Sequence, residues 1–122
     1  MSNLCLRPLA AIAILAGTAG LAQPAAAATI SRQCAVDSVA VIDGRMHIKC
    51  APIATVAHTQ AISYFALPLT EPPAKIESLI MLAIEAKRQK KPMVIWFDMD
   101  DYKSVPGCLG SDCRRLKGAA LE

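Results

Sequence analysis

Aromatic side chains are scarce: two Phe, one Trp and two Tyr among 122 residues. Single-stranded nucleic acid is held by rows of stacking rings along a cationic groove. Five rings and a formal charge of +3 provide neither, so nucleic acid is not an expected partner. The chain is also short. A length of 122 residues makes one domain, which excludes a barrel enzyme, a full dinucleotide-binding domain or a kinase. The apolar run Leu9–Ala22 is broken by Gly17, Thr18 and Gly20. It falls short of the ~18–20 residues of a spanning helix, and no membrane span is expected once residues 1–28 are removed.

Catalytic and metal motifs are missing too. Ser104 and Ser111 lack the context of a nucleophile elbow. Four residues, not two, separate Cys108 from Cys113, which argues against a thioredoxin-type redox pair. The cluster Asp98, Asp100, Asp101 has the start of a calcium loop. Counted from Asp98, however, position six is Lys103 and position twelve is Leu109, where Gly and Glu are required. This reads as a solvated acidic loop. His47 and His58 are distant in sequence from the late cysteine pair, which does not suit a zinc site. We expect no enzyme, no metal and no cofactor.

What is present begins with alanine. A single Arg7, an apolar stretch and the string Ala25–Ala28 have the form of a secretory signal peptide. Cleavage after Ala28 places Ala26 and Ala28 at the small positions −3 and −1. Cys5 is discarded with it. Residues 29–122 remain, 94 in all, with 12 basic and 10 acidic side chains. They keep Cys34, Cys50, Cys108 and Cys113, and an even count in a small exported domain reads as two disulfides. The expected location is periplasmic or secreted. Four cysteines allow three connectivities. The near pairing would close loops of 17 and six residues and contribute roughly 3 and 2 kcal/mol.

The hydrophobic pattern orders the rest. Residues 35–51 read as a hairpin turning at Asp43-Gly44, a pair that suits a type I′ turn. That register sets Val41 opposite Met46 and Val39 opposite Ile48, with Arg45, His47 and Lys49 facing water. It also sets Cys50 opposite Asp37, so a Cys34–Cys50 bridge would need a bulge. Residues 52–60 look like a loop. Residues 61–67 have the content of a strand, ended by Pro68, Pro72 and Pro73.

Ile76, Leu79, Ile80, Ala83 and Ile84 follow the 3.6-residue period of a helix over 74–90. Met81 and Leu82 widen its apolar surface beyond one stripe, as suits a helix packed deep against a sheet or one that meets a neighbouring subunit. Met93–Phe97 is a strand apolar on both faces, hence central or interfacial. Arg114–Leu121 makes a closing strand.

The order β-β-β-α-β-β is that of a small OB-fold. The cysteines bracketing the hairpin, the sequence Lys90-Lys91-Pro92-Met93-Val94-Ile95-Trp96-Phe97 after the helix, and Cys108-Leu-Gly-Ser-Asp-Cys113 carry a resemblance. The chain resembles the binding subunits of pentameric bacterial toxins of the subtilase cytotoxin and typhoid toxin type. It is similar, over nearly all of residues 33–121, to small exported proteobacterial proteins that share the Tyr64-Phe65-Ala66-Leu67 strand and the Trp96-Phe97-Asp98 strand end. The resemblance implies a β-rich α+β fold: a five-stranded OB-fold-like barrel with one helix between strands 3 and 4. It implies a non-enzymatic binding or assembly protein, with a glycan or protein ligand and a pentameric homo-oligomer by analogy. A monomeric periplasmic structural or inhibitor-like domain is the alternative. No sugar-binding motif maps onto named positions. Trp96, Asp98, Asp100 and Tyr102 are the candidate binding residues.

Overall fold

The computed structural model describes residues 28–52 and 62–122. Residues 1–27 of the signal peptide expected at 1–28 and most of the loop expected at 52–60 lie outside the described residues. The chain forms β1 (Thr29–Cys34), β2 (Val36–Ile42), β3 (Arg45–Cys50), β4 (Tyr64–Pro68), α1 (Pro73–Gln89), β5 (Met93–Asp98) and β6 (Cys113–Leu121). The strands make one sheet in the order β1-β5-β6-β4-β3-β2. All pairs are antiparallel except β4 with β6.

The fold is β-rich α+β with one helix, but it is a sheet of six strands with ends at β1 and β2 rather than a closed five-stranded barrel. The additional strand is β1, where apolar residues are few. Its pattern still has period 2: Ile30, Arg32 and Cys34 lie on the more buried face, and Thr29, Ser31 and Gln33 are exposed. Arg32 disguises that pattern. Its guanidinium lies 5.1 Å from the Phe65 ring centroid and donates to the Ile62 carbonyl at 2.9 Å. A cation lying over a ring fills an inward position with its apolar stem, and burial pulls its pKa below the usual value.

The hairpin has the expected register, with Val41 opposite Met46 and Val39 opposite Ile48. Asp43 and Gly44 take φ of 46° and 78°, the left-handed pair that a type I′ turn requires. The register slips between Val36 and Ser38, so that Val36 stands opposite Cys50. Asp37 is the extra residue of this bulge, and its carboxylate pairs with Lys49 at 3.1 Å. The bulge lets Cys34 reach Cys50, and both disulfides have the near pairing, Cys34–Cys50 and Cys108–Cys113.

Helix α1 starts with Pro73 in its first turn and places Lys87 and Arg88 in its last. The first suits a position that needs no amide hydrogen, and the second complements the negative end of the helix dipole. Lys90 closes it in the left-handed conformation. Ile76, Leu79, Ala83 and Ala86 are buried against Met46, Ile48, Phe65, Leu67, Ile95, Phe97 and Leu116. The Phe65 and Phe97 rings meet at 4.8 Å. No described helix is long and apolar enough to cross a membrane. Two disulfides are the chemistry of an oxidising compartment, compatible with an extracytoplasmic protein.

Candidate functional site

Residues 99–112, between β5 and β6, form a loop whose acidic residues Asp100 and Asp101 keep contact with solvent and which folds as a cover against the outside of β3, β4 and β6 through Val105. Val105 is buried against Ala66 and Cys113, with Tyr64 and Cys108 alongside. The cover is pinned by cations. Arg114 donates to the Gly110 carbonyl at 2.8 Å, and its guanidinium lies 5.6 Å from the Tyr102 ring centroid. Arg115 donates to Ser104 Oγ at 2.8 Å and also binds Glu71. Ser104 in turn donates from Oγ to Asp101. Hydrogen bonds from Lys75 and Arg115 pull the Glu71 carboxyl below its usual pKa.

Arg45 fastens the same cover from β3. Its Nη1 donates to the Pro106 carbonyl at 2.9 Å. The next residue, Gly107, has φ of 68°, and a Cβ there would stand 2.0 Å from that nitrogen. The positive φ favours glycine, and a Cβ there would have to displace the end of the Arg45 side chain.

One residue beside the cover departs from the alternation pattern. His47 was expected to face water, but it is 7% exposed. Its ring meets Tyr64 edge-on at 5.2 Å, and Nδ1 has no partner among the described residues. Burial, and then the neighbouring Arg45 charge, lower its pKa. A cleft of about 220 Å³ opens beside it, lined by Arg45, Tyr64, Gly107, Leu109, Asp112 and Cys113.

The four candidate binding residues do not form one constellation. Asp98 ends β5 and is 5% exposed. Its carboxylate accepts from Thr29 Oγ1 at 3.1 Å and pairs with Lys117 at 2.8 Å. It therefore works as a cross-strand tie. Asp100 is exposed. Tyr102 is half-buried beneath Gly110, where a Cβ would stand 3.0 Å from its ring, so it supports the cover. Trp96 alone presents a large apolar surface, at 38% exposure. It stands opposite Ser31 on β1 and Gly118 on β6. Among the described residues no group of three or more His, Cys, Asp and Glu side chains could hold a metal ion.

A second region was only partly visible in the sequence. Val41, Ile42, Met81 and Ile84 are exposed at 52, 44, 69 and 53%. Between α1 and β2 a groove of about 330 Å³ is lined by Val39, Ala40, Val41, Ile80, Ile84 and Lys87. The extra apolar width of α1 signalled this surface. The contribution of β2 came from residues that a hairpin pattern assigns to a core. Beside the groove, Lys87 donates to the Asp37 carbonyl at 2.6 Å.

Compared with family models, curated proteins and solved structures, the chain matches none.

Proposed function

We propose that this is an exported, non-enzymatic binding and assembly protein that works by presenting surfaces, and that its α1–β2 face joins copies of the chain into a homo-oligomer. The observation that carries this is the exposed apolar surface of Ile84 on the helix and Val41 on the hairpin, which line one groove, with Met81 exposed one turn from Ile84. Apolar side chains clustered around a groove mark interaction surfaces. A ring like that of the pentameric toxin subunits is the form this assembly takes in our reading.

The architecture favours an OB-like scaffold. Ala35 alone separates β1 from β2, and these pair with β5 and β3 at opposite ends of the sheet. Read as one bent strand, they turn six strands into the five of a barrel-like sheet. The alanine-rich leader and the two disulfides support export to the periplasm or beyond.

Size-exclusion chromatography with light scattering tests the assembly. The purified protein should exceed its monomer mass at tens of micromolar, and Met81→Asp should return it to the monomer. A wild-type monomer at that concentration would instead support the solitary inhibitor-like domain.

The Trp96 platform supports a second reading, glycan binding. An indole with Ser31 and Gly118 at its sides offers a flat apolar face with polar neighbours, which suits the mixed surface of a sugar ring. A glycan array with wild type and Trp96→Ala tests it. Hits that vanish in the variant support it, and an array without hits removes it.

A further inference from the structure

The cover carries a feature that its role in folding does not use. Leu109 is 64% exposed in a turn closed by a disulfide and by hydrogen bonds. Cys108 and Cys113 are bonded to each other across it. The Leu109 carbonyl accepts from the amides of Asp112 at 3.3 Å and Cys113 at 2.9 Å. The next carbonyl, of Gly110, accepts from Arg114, and the Gly110 Cα backs onto the Tyr102 ring. The turn carbonyls point inward and the leucine side chain points out. A preorganised apolar side chain loses little entropy on binding, which makes it an effective anchor.

The same molecule carries a receptor for such an anchor. The α1–β2 groove is apolar, has room for a leucine side chain at about 330 Å³, and lies on other elements. The charges beside the two features are opposite. Asp112, on the cleft next to Leu109, has no ion-pair partner among the described residues. Lys87, on the groove wall, is bonded to a neutral carbonyl and has no carboxylate partner among them either. Arg45 shares the cleft with Asp112, but its Nη1 is turned beneath the cover to Pro106.

We propose that Leu109 of one copy docks into the α1–β2 groove of the next, with Asp112 facing Lys87, so that the chain assembles head to tail. This rests on the assembly reading above and names the counter-surface it lacks. A contact between two different patches is heterologous. It closes into a ring if the rotation permits and otherwise extends. The turn at Leu109 bends the backbone back on itself, so the loop acts as a knob rather than as an extended segment offered to a protease. One side chain and one charge pair are small beside a standard interface, so neighbouring side chains around the groove contribute to each contact and a single contact suffices for a dimer.

Two exposed positions allow a mixing experiment by sedimentation velocity. Leu109→Asp removes the knob and keeps the groove, and Ile84→Asp removes the groove and keeps the knob. Each variant alone should remain monomeric at concentrations where wild type assembles, with association weakened at least tenfold. An equal mixture should form dimers and stop there, since it contains one intact knob and one intact groove per pair. Assembly of wild type and Leu109→Asp alike, with Ile84→Asp monomeric, would overturn the head-to-tail contact and leave assembly through the α1–β2 face standing. A wild-type monomer throughout would overturn both. Circular dichroism on each variant confirms that the fold is intact.

Discussion

Gly107 and Arg45 meet at the edge of the cover. The glycine has a positive φ, and a Cβ there would have to displace the end of the Arg45 side chain. Gly107→Ala should therefore destabilise the protein by about 1–3 kcal/mol. In an Arg45→Ala background the steric part disappears and only the backbone part, about 1 kcal/mol, should remain. Urea unfolding of the four proteins in this cycle measures the difference. Equal costs in both backgrounds would show that the guanidinium does not occupy that space.

His47 makes the second residue-scale case. Its folded pKa lies below the ordinary value through burial and the Arg45 charge, so the unfolded chain takes up a proton more readily than the folded one. The resulting stability is complete above pH ~6.5 and is lost as pH falls through the lowered folded pKa. Arg45 and Lys49 flank His47 on β3, and Tyr64 meets it from β4, so protonation would place a third cation in one row. His47→Phe should remove this loss, seen as a flatter dependence of Tm on pH between 7 and 5. Glu71 works at lower pH, since its lowered pKa means support that is lost as pH falls through the carboxylate range. Glu71→Gln should remove that lower part of the slope and leave the His47 part in place.

Among the elements, the hairpin was the most legible in sequence, because a two-residue Asp-Gly turn fixes its register. The same register already required a bulge if Cys34 was to meet Cys50, and Asp37 provides it. Strand β1 was hidden, because an inward arginine stacked over Phe65 replaces an apolar residue in its alternation. The cover was legible only in part, for a different reason. Its acidic residues suggest solvation, but its anchors, Arg45 and Ala66, are some forty to sixty residues away in sequence. His47 is buried with its ring against Tyr64 of β4, a contact that alternation along β3 could not reveal. Of the candidate binding residues, Trp96 keeps an exposed surface, whereas Asp98 and Tyr102 are used in ties and support.

The disulfides also act at the scale of elements. Replacing Cys108 and Cys113 by Ser should cost roughly 2 kcal/mol, and replacing Cys34 and Cys50 roughly 3 kcal/mol. The patterns of hydrogen exchange should differ as well. Loss of the late bridge should raise exchange over residues 105–113 and leave β2 protected. Loss of the early bridge should raise it at the β1–β2 junction. Uniform loss of protection in both variants would show that the cover does not open on its own.

At the scale of the whole molecule, Val41 and Ile84 are exposed on the two sides of one groove, and Met81 is exposed one turn from Ile84. A small domain that leaves such a cluster open gives up burial that would otherwise add to its stability. The proposed assembly would recover it. The cover then has two roles in one account, as a roof for β3 and β4 and as the mount for Leu109. Sedimentation equilibrium of the purified protein over a hundredfold concentration range tests the central claim most directly. The account predicts a weight-average mass that rises from the monomer toward a multiple of it, with no rise for Ile84→Asp. A constant monomer mass across the whole range would contradict it.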